Sequence, residues 1–173
     1  QGTAAMTISK LTLSAQIAGV QAGAADLGTL EFTLNSAFVK ALTNGTGANQ
    51  ADLIFADTRT LAASATEDLD LAGSLADVFG ATITMAEVVA ILVLADAGNT
   101  NNVVVGDATS PVPLFGGTNP TISVKPGGMF MIAAPNAAGQ FTVGAGSTDD
   151  LKIANSGGGT SVTYSIVVVG RSA

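Results

Sequence analysis

The chain is expected to be all-β, a single antiparallel β-sandwich of jelly-roll kind, on three observations. About ten short apolar or alternating runs recur roughly every 10 residues, each bounded by Gly, Pro or Asn turn signals. The stretch Asp150–Gly170 sets two β-prone runs, 151–154 and 162–169, on either side of Gly157-Gly158-Gly159. Only glycine enters positive φ without strain, so this reads as two adjacent antiparallel strands joined by a turn. The nearly continuous apolar run Val88–Ala95 is of strand length and rich in β-branched residues, which suits a buried central strand. No period of about 20 to 50 residues indicates a solenoid.

Taken in order, residues 1–5 read as the scar of an expression tag. Gln1-Gly2 resembles the end of a protease site and Met6 the natural start, which leaves 6–173 as one domain. Residues 7–17 alternate, with Leu11, Leu13, Ala15 and Ile17 on one face and Lys10, Thr12, Ser14 and Gln16 on the other, the pattern of a half-buried strand. Residues 18–28 are small and read as a loop. Residues 29–34 alternate again, with Leu30, Phe32 and Leu34 expected to point inward. Residues 36–42 fit either a continued strand or a short helical turn, and Asn44-Gly45-Thr46-Gly47 is a turn.

Leu53-Ile54-Phe55 forms an apolar knot in the next run. Leu69 and Leu71 then alternate with Asp68 and Asp70 in a strand with an acidic outer face. Residues 75–80 read as a turn and 82–84 as extended. Strand 103–105 follows a loop at 96–102, and the Pro-rich segment 110–120 reads as an irregular surface connection. Ile122-Ser123-Val124 and Met129–Ala134 flank Lys125-Pro126-Gly127-Gly128, which suits a type II turn and reads as a hairpin. Residues 140–143 complete the set. The second half of the last run, 166–169, is apolar at every position and is expected to be covered on both faces.

Composition narrows the function classes. Hydrophobic residues make up 47% and charged residues only 11%, a balance that suits a subunit packed among neighbours. No apolar run reaches the roughly 18 residues of a membrane helix, and no secretory signal is evident. The formal charge of −7 with only six Lys and Arg opposes nucleic-acid binding. There is no Cys and no His, which removes disulfides, thiolate and imidazole metal ligands, and the commonest general base.

The side chains that could carry chemistry are few. Glu67, Asp68 and Asp70, with Asp149 and Asp150, are weak calcium candidates, because calcium takes several oxygen ligands; their spacing does not match an EF-hand, and a solvated strand face and a turn are the plainer reading. A triad cannot be built without His, no Gly-x-Ser-x-Gly elbow occurs, and the Gly157 cluster lacks the Gly-Lys-Ser/Thr of a phosphate loop. Acidic pairs suited to glycosidases arise by chance among 13 carboxylates, and with no Trp and one Tyr a sugar platform is missing. Asn44-Gly45-Thr46 matches a glycosylation sequon but reads as a turn. No catalytic residue, resident metal or cofactor is expected. Phe115, in the Pro-rich connection, and Leu11 and Leu13 are the interface candidates.

Across 58–170 the chain resembles a family of small structural proteins of tailed bacteriophages. The resemblance is carried by Thr58-Arg59-Thr60-Leu61, Ala65–Gly73, Ala97–Asn102, Val124–Gly128 and Ile153–Thr160. It implies a non-enzymatic virion component with a β-sandwich fold, made in the host cytoplasm. Capsid decoration or cementing is the first expectation, and a tail- or fibre-associated module that binds host carbohydrate is the alternative. The implied partners are capsid or other virion proteins and further copies of the chain, three being favoured. Residues 6–50 fall outside the strongest resemblance and are expected to carry the partner-specific contacts.

Overall fold

The computed structural model describes residues 7–115 and 120–173; the scar assigned to 1–5, and Met6, fall outside them. Every regular element among the described residues is a strand. These are β1 (Leu11–Ala25), β2 (Gly28–Asn44), β3 (Gln50–Ala51), β4 (Leu53–Leu61), β5 (Thr66–Asp70) and β6 (Glu87–Ala95). The second half of the chain supplies β7 (Val103–Gly106), β8 (Thr121–Val124), β9 (Met129–Ala133), β10 (Phe141–Thr142), β11 (Asp150–Asn155) and β12 (Val162–Arg171).

Two antiparallel sheets enclose the main core in a sandwich-like arrangement. One runs β10-β6-β12-β4, with β9 also paired to β6; the other runs β5-β11-β7-β8. Strand alternation sends Ile91, Val93, Tyr164, Ile166 and Val168 inward from the first sheet and Leu69, Val103, Val105, Leu151 and Ile153 from the second, all buried. Burying each such aliphatic side chain contributes roughly 1.5–3 kcal/mol. The expected central strand is β6, which lies between β12 on one side and β9 and β10 on the other. The last run is covered on both faces as expected: Val168 joins the main core, while Val167 and Val169 lie under a second cluster on the outer side.

Two expected hairpins are overturned. β11 pairs with β5 and β7, whereas β12 pairs with β4 and β6, so the glycine cluster carries the chain from one sheet to the other. Likewise β8 pairs with β7 and β9 with β6. Six residues, Ser156–Ser161, separate β11 from β12, enough chain to cross the roughly 10 Å between packed sheets. The type II turn at Lys125–Gly128 does form, with Gly127 at φ 72 and the Gly128 N–H donating to the Lys125 carbonyl at 2.8 Å. A turn sequence encodes a reversal of direction, and the packing of the flanking side chains decides which sheet receives the next strand.

The third correction concerns the N-terminal quarter. Residues 18–25 are not a loop; they continue β1, which pairs with β2 in unbroken register from Leu11↔Leu42 to Ala25↔Gly28. Residues 36–42 are likewise extended. Alanine and glycine are weak strand formers, so the local pattern hid a strand that the partner strand imposes.

Candidate functional site

The β1–β2 ribbon is the feature whose chemistry is not consumed inside the fold. Its register places odd positions of β1 beside even positions of β2. One face therefore collects Leu11, Leu13 and Ile17 with Leu30, Phe32, Leu34, Phe38 and Leu42, interrupted by Gln21 and Lys40, while the other carries Thr12, Ser14, Gln16, Thr29, Glu31, Thr33 and Asn35 with the exposed Val20 and Val39. On the polar face Gln16 Nε2 donates to Asn35 Oδ1 at 2.8 Å.

The base of the apolar face is seated on this chain's own sandwich. Leu13 and Leu42 are buried against Val89, Ala90 and Val169 on the outer side of the five-stranded sheet, with Leu11, Phe38 and Met131 packed around them. Beyond the base the same face is open. Ile17 is 71% exposed, Leu30 69% and Phe32 63%, so the expectation that Leu30, Phe32 and Leu34 point into a core is overturned. The sandwich is closed by its own two sheets, and no third layer is left for the distal ribbon to pack against. Beside the base runs an apolar groove of about 310 Å³ whose lining includes Leu11, Leu92, Leu94, Met129 and Met131.

The expected interface residues divide. Leu13 is buried and Leu11 half-buried; both hold the ribbon to its own sheet, and both also line the groove beside its base. Phe115 packs against the main core, its ring centroid 6.0 Å from that of Phe130 at a tilt of 43°. Gly106, at φ 116, lets the chain pass under it; a Cβ there would lie 3.2 Å from the Phe115 ring and 2.4 Å from the Pro120 carbonyl oxygen.

The calcium candidates do not converge. Glu67 pairs across the sheet with the buried Ile153 and faces inward, whereas Asp68 and Asp70 lie on the outer face opposite Lys152 and Asp150. Glu67 is held instead by Arg59 Nη1 at 2.5 Å and by the Tyr164 hydroxyl, which donates to Oε1 at 2.6 Å. Asp149 is buried and turned into the 144–149 bend, where its Oδ2 accepts the Gly146 N–H. No group of three acidic side chains among the described residues is arranged to hold a metal ion. Period-two alternation separates neighbours in sequence onto opposite faces, which is why an acidic run in a strand is not a cluster.

Burial, then the hydrogen bond to Glu67 and its charge, push the Tyr164 hydroxyl well above the ordinary tyrosine range. Asp150 is also raised, first by burial and then by the charges of Asp149, Asp68 and Asp70.

Two polar anchors escaped sequence reasoning. Arg171 is fully buried at the end of β12: Nη1 donates to Glu87 Oε2 at 2.8 Å and to the Ala137 carbonyl at 3.2 Å, Nη2 to the Asn136 carbonyl at 2.8 Å, and Nε to the Gln50 carbonyl at 3.0 Å. Asn155, also buried, closes the other end of the sandwich. Its Nδ2 donates to the Ala62 and Thr160 carbonyls at 3.0 and 2.8 Å, and its Oδ1 accepts from Asn101 Nδ2 at 3.0 Å.

No family model, curated protein or solved structure matches this chain. The functional case therefore rests on its own sequence and geometry.

Proposed function

We propose that the chain is a non-enzymatic structural protein of a tailed-bacteriophage virion, made in the bacterial cytoplasm and decorating or cementing the capsid as a homo-oligomer, three copies being favoured. The observation that carries this is the ribbon. A closed, disulfide-free sandwich projects a pair of strands whose apolar face its own core leaves uncovered, and a two-stranded hairpin alone is marginal in water. Such a molecule is completed by assembly.

The strand order supports a jelly-roll reading within this proposal. β4-β12-β6-β9 faces β5-β11-β7-β8, so β4 and β5, β6 and β7, β8 and β9, and β11 and β12 each lie in opposite sheets. This is the order of an eight-stranded double Greek key, an architecture common in viral shells and also in lectins; it adds weight by analogy only. Decoration would act by mass action, since a ligand for many sites on the assembled shell stabilises it over free subunits.

The test is co-sedimentation of the purified protein with capsids of the phage that encodes it, followed by heating with and without the protein. Saturable binding with a raised capsid melting temperature is expected. Absence of binding, with binding to envelope polysaccharide instead, would replace this function by that of a tail or fibre module.

A further inference from the structure

We infer that the free apolar stripe of the β1–β2 ribbon seats on the ribbon of a second copy of this chain. The stripe has a shape of its own. On its β2 side Leu30, Phe32 and Leu34 stand in a row, and directly opposite them on β1 lie Gly23, Gln21 and Gly19. A ridge of large side chains thus runs beside a trough, a lower strip in which two glycine gaps, at Gly19 and Gly23, flank Gln21, within one face of one ribbon.

Nothing inside the chain accounts for those glycines. The register is unbroken at both, neither has positive φ, and a Cβ added at Gly19 or Gly23 would have no atom within 4 Å. Glycine weakens a strand interior, and where no bulge or bend needs it, it marks close approach by another body. The object whose spacing matches the two gaps at Gly19 and Gly23 is the ridge beside them, carried by another copy, with Gln21 between the gaps.

Charge and area agree. Asp26, Glu31 and Lys40 are the only charged residues from 11 to 44. By register Glu31 lies on the opposite face, Asp26 lies in the tip turn, and Lys40 pairs with the seated Leu13, so the distal stripe is uncharged. With the fully exposed Leu27 at the tip, the open side chains present roughly 600 Å² of surface, at the upper limit for a monomer and near one partner's share of an ordinary interface. The distal ribbon, from Ile17 to Ala25, is about 30 Å long, which keeps the paired stripes clear of the sandwich bodies. Ridge into trough, repeated from copy to copy, is a heterologous contact, which forms a ring where the rotation from one copy to the next closes. This deepens the proposed assembly role and rests on it for the favoured number of copies.

The experiment is the solution mass of the full chain by light scattering, for wild type and two double variants. Gly19→Val with Gly23→Val fills the trough while raising strand propensity; Leu30→Thr with Phe32→Thr removes the ridge while keeping strand-forming residues. Wild type is expected at three times the 17.0 kDa monomer, with association weakened at least tenfold in both variants and an unchanged cooperative unfolding transition of the sandwich. A monomeric wild type, or an oligomer indifferent to both variants, overturns the inference. Capsid co-sedimentation is read separately: a monomer that still decorates capsids sinks this inference and leaves the proposed function standing, and a ribbon-dependent oligomer that ignores capsids does the reverse.

Discussion

Replacing Arg171 by Met removes a fully buried guanidinium that ties three segments together: β3 through the Gln50 carbonyl, β6 through Glu87, and the turn after β9 through the Asn136 and Ala137 carbonyls. Each bond to a charged group contributes roughly 1.5–3 kcal/mol net of exchange with water. Asn136 and Ala137 lie in an exposed turn, so their carbonyls can recover water, whereas Glu87 keeps a mostly desolvated carboxylate with no cation. Breaking a buried pair from one side costs about 3–5 kcal/mol, and we expect about 4 here. With a urea dependence of about 2 kcal/mol per M, the unfolding midpoint should fall by about 2 M at unchanged slope. Arg171→Lys should recover less than half of the loss, since one ammonium cannot span acceptors on three segments. Glu87→Gln should cost less than Arg171→Met, because the amide oxygen still accepts from the guanidinium. A loss below about 1 kcal/mol for Arg171→Met would refute the view that this arginine locks the C-terminal strand.

Three further outcomes are expected. Tyr164 is the only tyrosine, and its hydroxyl is raised in the folded state, so the folded protein keeps a proton that the unfolded chain releases above about pH 10. Stability from this group is fully present below that pH and should then decline by about 1.4 kcal/mol per unit; Tyr164→Phe should flatten this alkaline limb in pH-dependent urea melts. Asn155→Ala removes the acceptor of the Gly157 N–H and one of at least two partners from each of the Ala62 carbonyl, the Thr160 carbonyl and the Asn101 amide, and should cost about 1–3 kcal/mol in the same assay. Gly106→Ala forces a Cβ into the Pro120 carbonyl at positive φ and should cost more than about 1 kcal/mol, with increased proteolysis of the 107–115 connection as a second readout.

Much of the framework was legible in local pattern. Val88–Ala95 announces a buried strand because continuous β-branched hydrophobicity has no other comfortable home at that length. Lys125–Gly128 announces its turn because Pro126 presets φ at the first central position and Gly127 admits the positive φ that the second requires. The acidic outer face was legible at Asp68 and Asp70, while Glu67, their neighbour in sequence, lies on the opposite face of the same strand with Leu69. The ribbon's apolar stripe is visible as alternation at Leu30, Phe32 and Leu34, yet alternation says only that a face is apolar, not what covers it.

From the sequence alone follow the all-β class, the strand runs, the principal turns, and a poverty of catalytic side chains, because period, φ preference and residue chemistry are local properties. The tertiary structure alone decided which sheet each strand joins, that residues 18–25 are strand, that the distal stripe faces away from any core, and that Arg171 and Asn155 are structural anchors. Those outcomes depend on pairings such as Arg171 with Gln50 and Asn155 with Ala62, made between residues distant along the chain. A polar side chain carries no local mark of the partner that burial will require it to find.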